Sequence, residues 1–124
     1  MYELHEIKHL SSNENGSTYA LAAIKSEGYL LATRKAVSIS GNHWHAGKSA
    51  AKNPESLLLI SGFVKLSFEH IETGETAELS VDAPLLIKIY PQVLHKLEAQ
   101  TDIIFFEFNS LEEHKTDTHY PTKG

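Results

Sequence analysis

Leu57-Leu58-Leu59-Ile60-Ser61-Gly62-Phe63-Val64-Lys65-Leu66-Ser67-Phe68-Glu69 decides the fold. Four consecutive apolar residues read as a short buried strand, and Ser61-Gly62 as a tight turn of the hairpin type. After the turn, Val64, Leu66 and Phe68 fall on one face, and Lys65, Ser67 and Glu69 on the other. That alternation has period two, the signature of a strand with one buried side. On a helix, residues two apart diverge by about 200° and would share no face.

The same grammar extends in both directions. Towards the C-terminus, Glu72-Thr73-Gly74-Glu75 is a turn, and short strands are expected over 77–81, 85–90, 95–99 and 103–108. Asp82-Ala83-Pro84, Pro91-Gln92-Val93 and Gln100-Thr101-Asp102 separate them. Towards the N-terminus, residues 2–10 alternate loosely, 11–17 read as a loop, 18–24 are apolar and 26–28 form a turn. Residues 29–40 then read as one long strand leading to Gly41-Asn42, and the small, polar 46–54 as a loop. Only 110–115, short and charged, resembles a helix, and the polar tail 116–124 is expected to be loosely held. Many short strands with turn residues between them mean an all-β sandwich or barrel. One domain over residues 1–124 is expected, with 1–17 an N-terminal strand and loop and 110–124 a polar tail.

Composition narrows the function classes. The 124 residues carry 16 acidic and 11 basic side chains, a formal net charge of -5. A nucleic-acid backbone needs a concentrated positive surface, so nucleic acid is not an expected partner. Arg34 is the single arginine, and no basic run suits an anionic membrane surface. Cysteine is absent, so any metal must be held by nitrogen and oxygen. The N-terminal stretch lacks the basic and apolar segments of a signal peptide, and no apolar run reaches spanning length. A cytoplasmic protein is the default expectation.

The chemistry concentrates in His43-Trp44-His45 and in His95, which follows Pro91-Gln92-Val93-Leu94. In an extended chain His43 and His45 share a face, with Trp44 on the other, where packing between sheets or at a subunit contact is expected. Glu55 follows Pro54 and opens the buried strand. If these strands wall one barrel, three imidazoles and a carboxylate meet at its mouth. Such a set suits a divalent zinc, iron, manganese, nickel or copper ion and does not choose among them. His5, His9, His70, His114 and His119 read as surface or satisfied histidines. Tyr29 and Tyr90 are either pocket lining or core, and Lys48 and Lys52 are loop cations.

Gly41-Asn42-His43-Trp44-His45, with Glu55 and Gly62 beyond it, resembles the first cupin motif. Gly74 through His95 resembles the second. The gap between His45 and Glu55 is longer than is usual there, and Gln92-Val93 stands where glycine is common. The resemblance implies a double-stranded β-helix, or jelly-roll barrel, that is usually dimeric. It also implies that His43, His45, Glu55 and His95 hold the metal. Ser61 to Leu66, His70 to Glu75 and Asp117-Thr118-His119-Tyr120 further resemble cupins that modify nucleotide-linked sugars, the capsular-polysaccharide epimerases and the sugar 3,4-ketoisomerases. That resemblance implies an isomerase or epimerase of a sugar-like small molecule, working by proton transfer beside a carbonyl, with His43, His45, Glu55 and His95 as catalytic groups. Arg34, Lys48 and Lys52 are the cations available to a pyrophosphate. Two other readings are an iron-dependent, oxygen-using or dicarbonyl-cleaving cupin, and a non-catalytic barrel that binds a small ligand.

Overall fold

The computed structural model describes residues 1–21, 24–48, 54–112 and 117–121. Its strands are β1 (Tyr2–Glu6), β2 (Lys8–Asn13), β3 (Gly16–Ala20), β4 (Leu30–Arg34), β5 (Ile39–His43) and β6 (Glu55–Ser61). They continue with β7 (Phe63–His70), β8 (Thr76–Asp82), β9 (Leu85–Ile89), β10 (Val93–Ala99) and β11 (Ile103–Glu107). Every pairing is antiparallel. One sheet runs β1-β9-β6-β11-β4, the other β5-β10-β7-β8, and β2 pairs with β3. This is the all-β jelly roll expected from the sequence.

The alternation in 63–69 places Val64, Leu66 and Phe68 inward, each at most 3% exposed. They meet Leu57 and Leu59 of β6, Leu97 of β10 and Phe105 of β11 in one core between the sheets. The Tyr2 ring stacks on Phe68 at 4.4 Å and closes the core beneath β1. Full burial of each such side chain stabilises the fold by roughly 1.5–3 kcal/mol.

Four expectations are revised. The Ser61-Gly62 turn does not join a paired hairpin: β6 bonds to β9 and β11, whereas β7 bonds to β8 and β10. Gly62 (φ +103°) is a corner that carries the chain from one sheet to the other, and a Cβ there would collide with the Asp102 carbonyl. Residues 29–40 form two strands, broken where Val37 takes φ +75° and donates its N–H to the Ala99 carbonyl at 2.7 Å. Residues 11–13, expected in a loop, extend β2, because pairing with β3 satisfies their backbone. The last strand pair begins at Val93, so His95 lies inside β10 and not at its start. Of the helix expected over 110–115, Ser110 is not helical, Leu111 and Glu112 are, and 113–115 lie outside the described residues. Among the described residues no helix is long and apolar enough to cross a membrane.

β5 ends, and β6 and β10 begin, at the same end of the barrel. Glu55 pairs with Ile89, His95 with Phe68, and His43 with His95. That shared end carries the polar cluster.

Candidate functional site

His43 reaches the interior through a bulge. On β10, Val93, His95, Leu97 and Ala99 all point inward and are buried. Ser40 of β5 pairs with Leu97, so strict alternation would turn residue 42 inward and residue 43 outward. The register instead slips between His95 and Lys96. Gly41 faces Lys96 and His43 faces His95, leaving Asn42 as the extra residue. Gly41 and Asn42 take φ +83° and +60° to make the turn. A Cβ on Gly41 would lie 2.9 Å from the His95 carbonyl oxygen, so the close approach needs glycine.

His45 lies beyond the end of β5 and is held from two sides. Its carbonyl accepts the Gln92 N–H at 2.7 Å, and its Nδ1 donates to the Asp117 carbonyl at 2.6 Å. His95 Nδ1 likewise donates to the Val93 carbonyl at 3.1 Å. A carbonyl only accepts, so both rings carry a proton on Nδ1, and in the neutral ring the lone pair is on Nε2. Glu55, the first residue of β6, supplies the carboxylate. His45, His95 and Glu55 are each 2% exposed, and His43 is half-buried.

All four side chains converge, with one ligand atom from each of His43, His45, Glu55 and His95 within 4.8 Å of the others. The imidazole planes of His43 and His95 meet edge-on at 4.7 Å. Glu55 Oε2 lies 2.8 Å from His45 Nε2 and 3.4 Å from His95 Nε2. The His45 approach is close but not aligned as a hydrogen bond. With a neutral His45 ring, the Nε2 and Oε2 lone pairs would repel across 2.8 Å, away from water, and a cation sharing the space, whether a metal ion or a second ring proton, relieves this. Donors on one ion at about 2.1 Å stand roughly 3 Å apart when adjacent and about 4.2 Å when opposite in an octahedron. The observed spacings fall near this range, so the residues fit a divalent ion. The all-nitrogen-and-oxygen set leaves its identity open.

Sequence reasoning missed the support for this cluster. The tail, expected to be loose, docks through Asp117, which is 2% exposed. Its carboxylate accepts the N–H groups of Ala46 (3.0 Å), Gly47 (2.8 Å) and Lys48 (2.8 Å). Burial pushes the Asp117 carboxyl up, but those three N–H bonds and the His119 ring outweigh it and hold the group below its ordinary value. His119 and Trp44 exchange two backbone bonds of 2.9 Å, and their rings stack at 4.4 Å. Trp44 therefore packs on the C-terminal segment and not between the sheets. Tyr120 meets His43 edge-on at 6.1 Å. The resemblance of Asp117 to Tyr120 to sugar-modifying cupins was the one available signal.

His43 borders a cavity of about 530 Å³ whose polar lining includes Arg34, Ser40 and Glu107. Arg34 is oriented by Nε–H donation to Ser40 Oγ at 3.0 Å. Tyr29 and Tyr90 do not line this cavity: Tyr29 packs edge-on against Phe108, and Tyr90 donates to Glu3. Lys48 is exposed, whereas Lys52 and His114 lie outside the described residues. His5 faces Glu3, His9 contacts Ser12, and His70 caps the turn at Glu72 and Thr73, as surface histidines do.

No protein-family model and no curated protein matches the sequence. Solved structures do match. QdtA, a sugar 3,4-ketoisomerase from Thermoanaerobacterium thermosaccharolyticum solved with TDP, is 15% identical with a TM-score of 0.73, over 97% of this chain and 88% of that one. A dTDP sugar isomerase from Desulfovibrio desulfuricans is 13% identical with a TM-score of 0.72, over 98% and 84%. The capsular polysaccharide assembling protein CapF of Staphylococcus aureus is 22% identical with a TM-score of 0.61; 94% of this chain matches 34% of CapF. The likeness establishes architecture: this chain shares its all-β jelly-roll fold with these proteins.

Proposed function

We propose that this chain is a metal-binding isomerase or epimerase of a nucleotide-linked ketosugar, acting by proton transfer at the carbon beside a carbonyl. The observation that carries the reading is the convergence of His43, His45, Glu55 and His95 within 4.8 Å. Two of these rings have Nδ1 fixed by backbone carbonyls and Nε2 turned inward. The shared fold with sugar ketoisomerases supports the substrate class.

The residues divide by position. His45, Glu55 and His95, all buried, would hold the ion, and the half-buried His43 beside them would carry the proton transfer. A divalent ion there supplies Lewis acidity towards the ketone oxygen. His43, at the edge of the cavity, is the ring placed to touch substrate, and an imidazole ordinarily titrates near neutrality. It would take the C–H proton next to the ketone, leaving the electron pair in an enediolate. Returning the proton to the former carbonyl carbon, while the neighbouring hydroxyl proton passes to the former carbonyl oxygen, gives the isomeric ketone; returning it to the opposite face of the original carbon gives the epimer. About 530 Å³ is room for a sugar, and Arg34 in its wall is the cation offered to a phosphate.

Metal analysis of the purified protein, followed by incubation with TDP-linked 4-ketosugars in deuterium oxide, tests this. The expected result is bound divalent metal, an isomeric product and deuterium at the carbon next to the carbonyl. Unlabelled, unchanged sugar with every nucleotide tried sinks the proposal. Histidines with one carboxylate also hold ferrous ion in oxygenases, so iron-dependent oxygen uptake would replace the isomerase reading.

A further inference from the structure

We infer that Asp117 is the positioning residue of the four-residue cluster: it holds His45 in the Nδ1–H tautomer with Nε2 turned to Glu55, and so sets the affinity for a cation. The affinity part rests on the metal-binding reading above; the tautomer part does not.

Asp117 grips the ligand segment twice, from 72 residues away in sequence. Its backbone carbonyl takes the His45 Nδ1–H, and its carboxylate takes the next three backbone N–H groups, of Ala46, Gly47 and Lys48. Consecutive N–H groups that turn towards one point form an anion-binding nest, and the φ of +87° at Gly47 makes that turn. The two backbone bonds between Trp44 and His119 set the register of the strap, and His119 Nε2 reaches Asp117 Oδ1 at 3.1 Å.

The geometry selects one of two tautomers. With Nδ1 bonded to a carbonyl, the neutral ring presents its Nε2 lone pair towards Glu55 Oε2, 2.8 Å away. Released from the carbonyl, the ring could carry its proton on Nε2 and donate to Glu55, which would remove the lone pair a cation needs. An asparagine at 117 keeps one acceptor oxygen and turns an NH2 group towards N–H donors. The nest then opens, and the carbonyl that orients His45 moves with it.

Two readouts on the full-length chain test the inference: Zn²⁺ affinity by chelator competition, and the His45 ring tautomer in long-range ¹H–¹⁵N spectra of metal-free protein. Asp117→Asn is expected to weaken Zn²⁺ about 10–100-fold, the range for lost outer partners of a ligating histidine, and to shift His45 towards Nε2–H. His119→Ala removes one partner of the carboxylate and spares the three N–H bonds, so it should give a smaller change in the same directions. A folded Asp117→Asn protein with wild-type affinity and tautomer overturns the inference, even if its Tm falls. If Asp117→Asn does not fold, wild-type values in His119→Ala overturn it equally. Should wild-type protein bind no Zn²⁺ while Asp117→Asn still changes the tautomer, the metal reading fails and the positioning role stands.

Discussion

Replacing Gly41 with alanine should damage the site through the backbone alone. Two costs follow from the structure. The φ of +83° is left-handed, which costs an L-residue about 1–2 kcal/mol. The added Cβ would also sit 2.9 Å from the His95 carbonyl oxygen, a backbone atom that cannot swing aside. Relief requires β5 to move off β10 by a few tenths of an ångström, bringing the total to about 2–4 kcal/mol. At about 3–5 °C per kcal/mol for a chain of this size, Tm should fall by roughly 6–20 °C. Gly74 provides the comparison, with φ +74° and nothing within 4 Å of its Cβ. Gly74→Ala should therefore cost only the conformational part, about 1–2 kcal/mol. Thermal melts of both variants and their Co²⁺ affinities are the assay. Equal losses of stability, or undiminished Co²⁺ binding by Gly41→Ala, would refute the argument that this bulge aims His43 at His95.

Three other outcomes are expected. Divalent metal at 100 times its Kd should stabilise the wild type by about 2.7 kcal/mol, raising Tm reversibly with chelator, and Glu55→Gln should abolish most of that rise; an equal rise in the variant would exclude Glu55 as a ligand. Gln92 holds φ +67°, so Gln92→Gly should be neutral or stabilising by up to about 1 kcal/mol in denaturant melts, and a clear loss would mean that the Gln92 side chain has a separate role. Glu3 is held below its ordinary 4.5 by the Tyr90 hydroxyl, so its stabilising effect is present above that pH and lost as pH falls through the depressed value. Tyr90→Phe should bring the Glu3 titration, followed by NMR, back up towards 4.5, and an unmoved midpoint would break the assignment.

What the sequence displayed was whatever depends on side-chain period and turn chemistry. Val64, Leu66 and Phe68 announced a buried strand face, and the clustered histidines announced themselves by type and spacing. What it concealed were backbone decisions made by distant partners. Nothing local at Lys35-Ala36-Val37-Ser38 marks a break; the left-handed Val37 is held by the Ala99 carbonyl. Gly62 is a turn in either reading, and only the pairing partners of β6 and β7 distinguish a hairpin from a corner between sheets. The alternation argument for His43 and His45 reached the right face for an incomplete reason. It treated the segment as one regular strand, whereas the bulge at Asn42 puts His43 inward and the Gln92 and Asp117 contacts hold His45. The burial of Asp117 was hidden because composition alone does not mark a single polar residue in a polar stretch as buried.

The long gap between His45 and Glu55 illustrates why spacing is a weak guide to such a site. The two ends of the gap are fixed independently. Residues 46–48 are pinned by the Asp117 carboxylate, and Glu55 is placed by β6, where it pairs with Ile89 and precedes the buried Leu57 and Leu59. Neither anchor depends on the number of residues between them. Closing a longer loop is also cheap, about 0.6 kcal/mol for each doubling of length, set against several buried side chains that fix β6. The carboxylate therefore stays at the mouth of the barrel whatever the loop length. Its position follows from the strand that begins with it, and the count of residues from the histidine pair carries little information about it.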